Sequence, residues 1–129
     1  MDCPRCSVEL TALSSEDSTI QWCSECGGSW VEVTDLNKIL LHANLPALSS
    51  IPGYVNTEEL SGLCPACQVE LSVIEGGEKK ALAYDTCESC GGIWVDGEAD
   101  DPPAEQSYAG SVKEIVSFFR DFAKPAKKK

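Results

Sequence analysis

All eight cysteines of this chain stand in four CxxC pairs, with none left over. The pairs are Cys3-Pro4-Arg5-Cys6, Cys23-Ser24-Glu25-Cys26, Cys64-Pro65-Ala66-Cys67 and Cys87-Glu88-Ser89-Cys90. A CxxC turn lets two sulfurs face one ion while nearby backbone N–H groups point at them. Sixteen residues separate Cys6 from Cys23, and nineteen separate Cys67 from Cys87, near the spacing of four-cysteine zinc sites. The spacing predicts two metal sites. Cys3, Cys6, Cys23 and Cys26 would hold one ion, and Cys64, Cys67, Cys87 and Cys90 the other. Four thiolates close a tetrahedron and leave no position for water, so such sites are structural. Two Zn²⁺ ions are expected, and iron is the metal alternative because S₄ geometry suits both.

Disulfides are the rival staple. The opening Met1-Asp2-Cys3 has no basic segment followed by an apolar one, so no signal peptide is expected. The longest apolar run is only a few residues, so no membrane span is expected either. A cytoplasmic location follows as the expectation. Thiols kept reduced there read as metal ligands.

Composition bounds the partners. Formal net charge is −11 over 129 residues. With eight thiolates and two zinc ions it would be about −15. General binding to a phosphate backbone needs clustered Lys and Arg. Only Arg5, Lys79 and Lys80 are basic near the cysteine pairs. Trp22, Trp30 and Trp94 are expected to pack against the knuckles, with base stacking by one exposed indole as the alternative.

The elements that must position the cysteines come as a repeat. CPRCSVEL matches CPACQVEL, and CSECGGSWVE matches CESCGGIWVD, with first cysteines 61 residues apart. In the first copy, Val8-Glu9-Leu10, Thr19–Trp22 and Ser29–Val31 read as strands, with Ser14–Ser18 as a turn. Gly27-Gly28 would allow positive φ and a close backbone approach to the metal. A helix should follow, capped by Thr34 or Asp35, with Leu36, Ile39, Leu40 and Ala43 on one face covering the Trp30 side. Pro46 should stop it. His42, at its end, reads as a lone exposed histidine. In the second copy, Val69–Ile74 and Ala81–Tyr84 read as strands around a Gly76-Gly77 turn. Asp100–Pro103 reads as a loop. A second helix is expected from about Ser107 to Ala123, with Val112, Ile115, Val116, Phe118, Phe119 and Phe122 on its apolar stripe.

The domain reading is a first ribbon and helix over 1–43, a linker over 44–62 and a second ribbon over 63–99. A loop and amphipathic helix follow over 100–123, and a basic tail over 124–129. Pro46, Pro52-Gly53 and Ser61-Gly62 break regular structure in the linker, although Leu45, Leu48, Ile51 and Tyr54 could pack on the ribbons. Each half is about 50 residues, too short for a self-sufficient core.

The pattern CPxC … CxxCGGxWV(D/E) resembles the transcription-factor-IIB-type zinc-finger family of bacterial zinc ribbons. Two copies cover roughly residues 2–41 and 63–98. The first keeps the family's helix in Asp35–Leu40. In the second, Gly97 shortens the usual spacing and the leucine-bearing helix is missing. The resemblance implies zinc binding and treble-stranded ribbons. Together with the helices read above, the expected fold is small, metal-bound α+β: two tandem treble-stranded zinc ribbons, a short helix after the first and a C-terminal amphipathic helix.

No nucleophile–base pair, phosphate loop or open metal site is legible, so no enzymatic activity is expected. The leading expectation is a zinc-binding protein-interaction or regulatory module, an accessory of transcription or of another assembly, which uses its C-terminal helix for a partner protein or for self-association. The alternatives are a nucleic-acid-binding ribbon, which the charge disfavours, and a thiol or metal redox sensor.

Overall fold

The computed structural model describes residues 1–15, 18–51, 53–76, 82–97 and 106–122. The readings placed on Glu16-Asp17, Gly77, Lys79-Lys80, Ala81, Asp100–Pro103, Ala123 and the tail 124–129 lie outside them.

Three short strands, β1 (Thr11–Ser14), β2 (Thr19–Trp22) and β3 (Ser29–Glu32), form the first ribbon. Helix α1 (Val33–His42) follows β3 directly. A single 3₁₀ turn at Leu48–Ser50 leads to β4 (Tyr54–Leu63). The second ribbon consists of β5 (Glu70–Gly76), β6 (Leu82–Thr86) and β7 (Gly92–Val95), and helix α2 (Tyr108–Phe122) ends the described chain.

All seven strands belong to one antiparallel sheet of order β1-β2-β3-β7-β6-β5-β4. The ribbons meet through β3 and β7, where Trp30 lies opposite Trp94 and Val31 opposite Ile93. On either side of this joint the order of the repeats is mirrored, so the halves are related by an approximate two-fold. Strands at the centre of a sheet covered on both faces become continuously apolar instead of alternating. Gly92-Ile93-Trp94-Val95 is accordingly buried throughout.

One face of the sheet carries the main core. Ile20, Val31, Ile93 and Val95 pack there against Leu36, Ile39 and Leu40 of α1 and against Ile115, Phe118, Phe119 and Phe122 of α2. Tyr84 of β6 adds its ring, 5.4 Å from Phe119 and 5.2 Å from Phe122 between centroids. Such aromatic pairs add about 0.5–1.5 kcal/mol beyond the area they bury. The other face carries the cysteines with Leu10, Trp30, Leu71 and Trp94. Helix α1 therefore covers the Val31 side of the ribbon, not the Trp30 side expected of it. Alternation along β3 decides this, because Trp30 and Val31 must point to opposite faces.

Three local readings are also corrected. The first outer strand is Thr11–Ser14, and Val8–Leu10 contributes only an isolated bridge between Asp2 and Glu9. Helix α1 starts on Glu32 as N-cap with no side-chain cap; Asp35 lies in its first turn and accepts the Thr19 backbone N–H at 3.2 Å. It ends at His42, before Pro46, where Asn44 adopts φ 64° and the Leu45 N–H returns to the Leu40 carbonyl. In the stretch read as linker, 54–63 is a strand pairing with β5, with register shifts that absorb its breakers. Helix α2 begins where expected: the Ser107 hydroxyl accepts the Gly110 N–H at 2.9 Å.

Candidate metal centres

Each of the four CxxC pairs makes the same turn. The first cysteine's carbonyl accepts the N–H four residues on: Ser7 to Cys3 at 2.9 Å, Gly27 to Cys23 at 2.8 Å, Gln68 to Cys64 at 2.9 Å and Gly91 to Cys87 at 2.7 Å. Each turn closes on a residue in the left-handed region, with φ of 65°, 78°, 64° and 79° at Ser7, Gly27, Gln68 and Gly91. The glycines at 27 and 91 suit this without strain. Ser7 and Gln68 do the same work unannounced by their residue types. The turn aims backbone N–H groups at sulfur, as Arg5 and Cys6 do on Cys3 Sγ at 3.3 Å, and Ala66 and Cys67 on Cys64 Sγ at 3.3 and 3.2 Å.

The β-ribbons then bring the knuckles together in pairs. The sulfurs of Cys3, Cys6, Cys23 and Cys26 lie within 4.8 Å of one another, and so do those of Cys64, Cys67, Cys87 and Cys90. None of the eight is in a disulfide. Cys3 Sγ and Cys26 Sγ are 3.8 Å apart, as are Cys64 Sγ and Cys90 Sγ. Four sulfurs at about 2.3 Å from a tetrahedral zinc ion would be about 3.8 Å from each other. The donor set and its spacing thus fit a four-coordinate thiolate-bound metal.

Ionisation of the thiols is uneven. Burial opposes it at Cys87, but the N–H groups of Cys90 and Ser89 outweigh that and bring Cys87 down to about 7. Cys23 is lowered in the same way, against burial, by Cys26 and Glu25 N–H groups. Burial, then the nearby Cys3 and Cys23 sulfurs, push Cys6 up to about 11. Contact with Cys90, then burial, pushes Cys67 up to about 12. Each tetrad therefore holds one thiol prepared to ionise and others that resist while negative charge accumulates. A bound cation at the centre reverses that resistance.

The two centres are tied to each other by a connection between residues that the sequence singled out only separately. Arg5, on the first knuckle, donates from Nε and Nη2 to Asp96 at 2.8 and 3.0 Å and also bonds to buried Asp85 on β6. Asp96 accepts in addition the Trp94 indole N–H at 2.7 Å. Burial works against charge on Asp96, but the Arg5 and Trp94 donors hold it below the usual carboxylate range. Gly62 passes against the Pro4 carbonyl, and Gly97 against the Cys26 carbonyl. The one available signal was that Arg5 has Ala66 at its place in the second repeat. Trp22, Trp30 and Trp94 are all buried, so none offers a face for stacking on a base. His42 is exposed and belongs to neither centre. The apolar side of α2 is spent inside the chain, with Phe119 and Phe122 almost fully covered.

Two closed cysteine tetrads on paired β-ribbons define a tandem zinc-ribbon protein. Residues 2–42 and 63–99, more than half of the chain, match the family described as transcription factor zinc-finger, and the chain belongs to that family. No curated protein and no solved structure matches it. No helix among the described residues is long and apolar enough to cross a membrane.

Proposed function

We propose that this chain is a non-enzymatic module that binds two zinc ions for its fold and acts by contacting another protein, in a regulatory or transcription-associated assembly. A closed thiolate tetrahedron offers no position for substrate or water, which favours a structural use of the metal. The observation that supports a protein partner is the surface around the outer strand β4. Tyr54, Val55, Leu63 and Val69 are exposed there, on the open side of a sheet edge of the kind that takes up extended peptides. The acidic balance and the burial of all three tryptophans weigh against a nucleic-acid surface.

The test is affinity purification with the zinc-loaded full chain as bait, compared with a Val55→Lys variant that alters the exposed edge. A partner retained by the native chain and lost with the variant is expected. Recovery of no partner, together with tight salt-dependent binding to DNA or RNA, would overturn the proposal.

A further inference from the structure

The approximate two-fold relates the halves residue by residue. The offset that carries Cys23 onto Cys87 also carries Gln21 onto Asp85, Trp30 onto Trp94 and Glu32 onto Asp96. The strand register agrees, since Gln21 lies opposite Trp30 and Asp85 opposite Trp94. The indoles are also oriented alike. The Cζ2 edge of Trp94 faces Gly28, and the Cζ2 edge of Trp30 faces Gly92.

In the second half this set of residues is filled. The guanidinium of Arg5 reaches across from the opposite knuckle to Asp85 and Asp96, and Asp96 takes the Trp94 N–H. In the first half the opposite knuckle presents Ala66, which ends at Cβ. There Trp30 is 2% exposed and its Nε1 has no hydrogen-bond partner among the described residues. Glu32, the counterpart of Asp96, is exposed. Beside them lies a cavity of about 240 Å³ lined by Met1, Thr19, Gln21, Trp30, Glu32 and Asp35 among others.

We propose that this cavity is a seat for an arginine side chain of a partner polypeptide. The guanidinium takes the place that Arg5 takes in the other half, between the Glu32 and Asp35 carboxylates and the Gln21 side-chain oxygen. Glu32, with its charge offset, turns to accept the Trp30 N–H, as Asp96 does for Trp94. The planar fork of arginine donates to two carboxylates at once, which the point charge of lysine does less well. This inference rests on the reading of the chain as a protein-contact module and names the chemistry of the partner at one position.

The test is a titration of the zinc-loaded full chain with Nα-acetyl-arginine methylamide, followed through the indole N–H resonances and assigned with Trp30→Phe. The Trp30 signal is expected to move in a saturating way while that of Trp94 stays still. Glu32→Gln and the lysine analogue should each weaken binding about tenfold. Ala66→Arg, an exposed position, should fill the seat from within, displace the Trp30 signal without probe and abolish binding. A Trp30 signal unmoved at about 50 mM probe, or moved equally in Glu32→Gln or Ala66→Arg, would overturn the proposal. A partner captured equally by native and Ala66→Arg chains would also overturn it while leaving the protein-contact reading intact. Failure of the native chain to capture any partner counts against that reading instead, with the probe titration still deciding the seat.

Discussion

Trp30 and Gly92 face each other across the β3–β7 joint so closely that a Cβ on residue 92 would meet the indole Cζ2 at 2.0 Å. Trp94 and Gly28 repeat the relationship at 2.3 Å. Each repeat thus provides the floor for the other's tryptophan, and the second glycine of each CGGxW block exists for this approach. Gly92→Ala and Gly28→Ala are expected to destabilise the zinc-loaded chain by about 1–3 kcal/mol each, through overpacking. Chemical denaturation measures this, and a change too small to resolve at both positions would mean that the joint is not as close as described.

The Arg5 bridge gives a second prediction. Arg5→Met leaves the Asp85 carboxylate, 3% exposed, without its guanidinium. Breaking one side of such a pair costs about 3 kcal/mol when fully buried, and less here because the Arg5 side chain is 32% exposed. The double variant Arg5→Met/Asp85→Asn should recover much of the loss. A double-mutant cycle with no coupling between the positions would refute the bridge.

Metal content offers a third. Elemental analysis of purified chain should give about two zinc ions per molecule, and removal by a strong chelator should abolish the sheet signal in circular dichroism. Cys87→Ser should reduce the content to about one. Because both tetrads share one packed cluster with Trp30 and Trp94, the remaining ion should also be lost to chelator faster than in the native chain. Unchanged retention would show that the two centres are independent.

Acid should act on the two kinds of group in separate ranges. Cys6 and Cys67 are pushed up to about 11 and about 12 without metal, so zinc must displace their protons, and retention strengthens as pH rises and weakens as it falls. Asp96 has the opposite shift: its folded pKa is lowered. Its contribution is therefore present above the unfolded value of about 3.9 and disappears as pH falls through the folded value. Zinc release followed with a colorimetric chelator should begin well above that range. Release unaffected between pH 8 and pH 5 would contradict competition between protons and metal at these sulfurs.

The second helix should be integral to the core. Phe119 is fully buried between Tyr84, Phe118 and Phe122. Phe119→Ala is expected to cost about 3–5 kcal/mol. A loss below about 1 kcal/mol in thermal or chemical unfolding would show that the site collapses around the smaller side chain.

Much of this protein was legible from local pattern. The grouping of the cysteines into two tetrads follows from four CxxC spacings, because a knuckle is a turn of a few residues that closes on itself. Strands β2, β3, β5 and β6 and the existence of α2 follow from short-range alternation and a 3.6-residue stripe, whereas the first outer strand lies further along than its alternation suggested. Strand β4 was hidden because Gly53 and Ser61-Gly62 read as breakers, yet an edge strand with irregular register tolerates them.

What the amino-acid sequence determined by itself is the pair of sulfur sets and the elements that carry them. Only the tertiary structure decided that Trp30 pairs with Trp94 in one continuous sheet, that α2 spans both repeats, and that Arg5 belongs to the second half of the molecule. The reason is range. A knuckle or a helical stripe is encoded by neighbours, whereas the β3–β7 joint and the Arg5 bridge depend on residues tens of positions apart, whose complementarity exists only once both ribbons have formed.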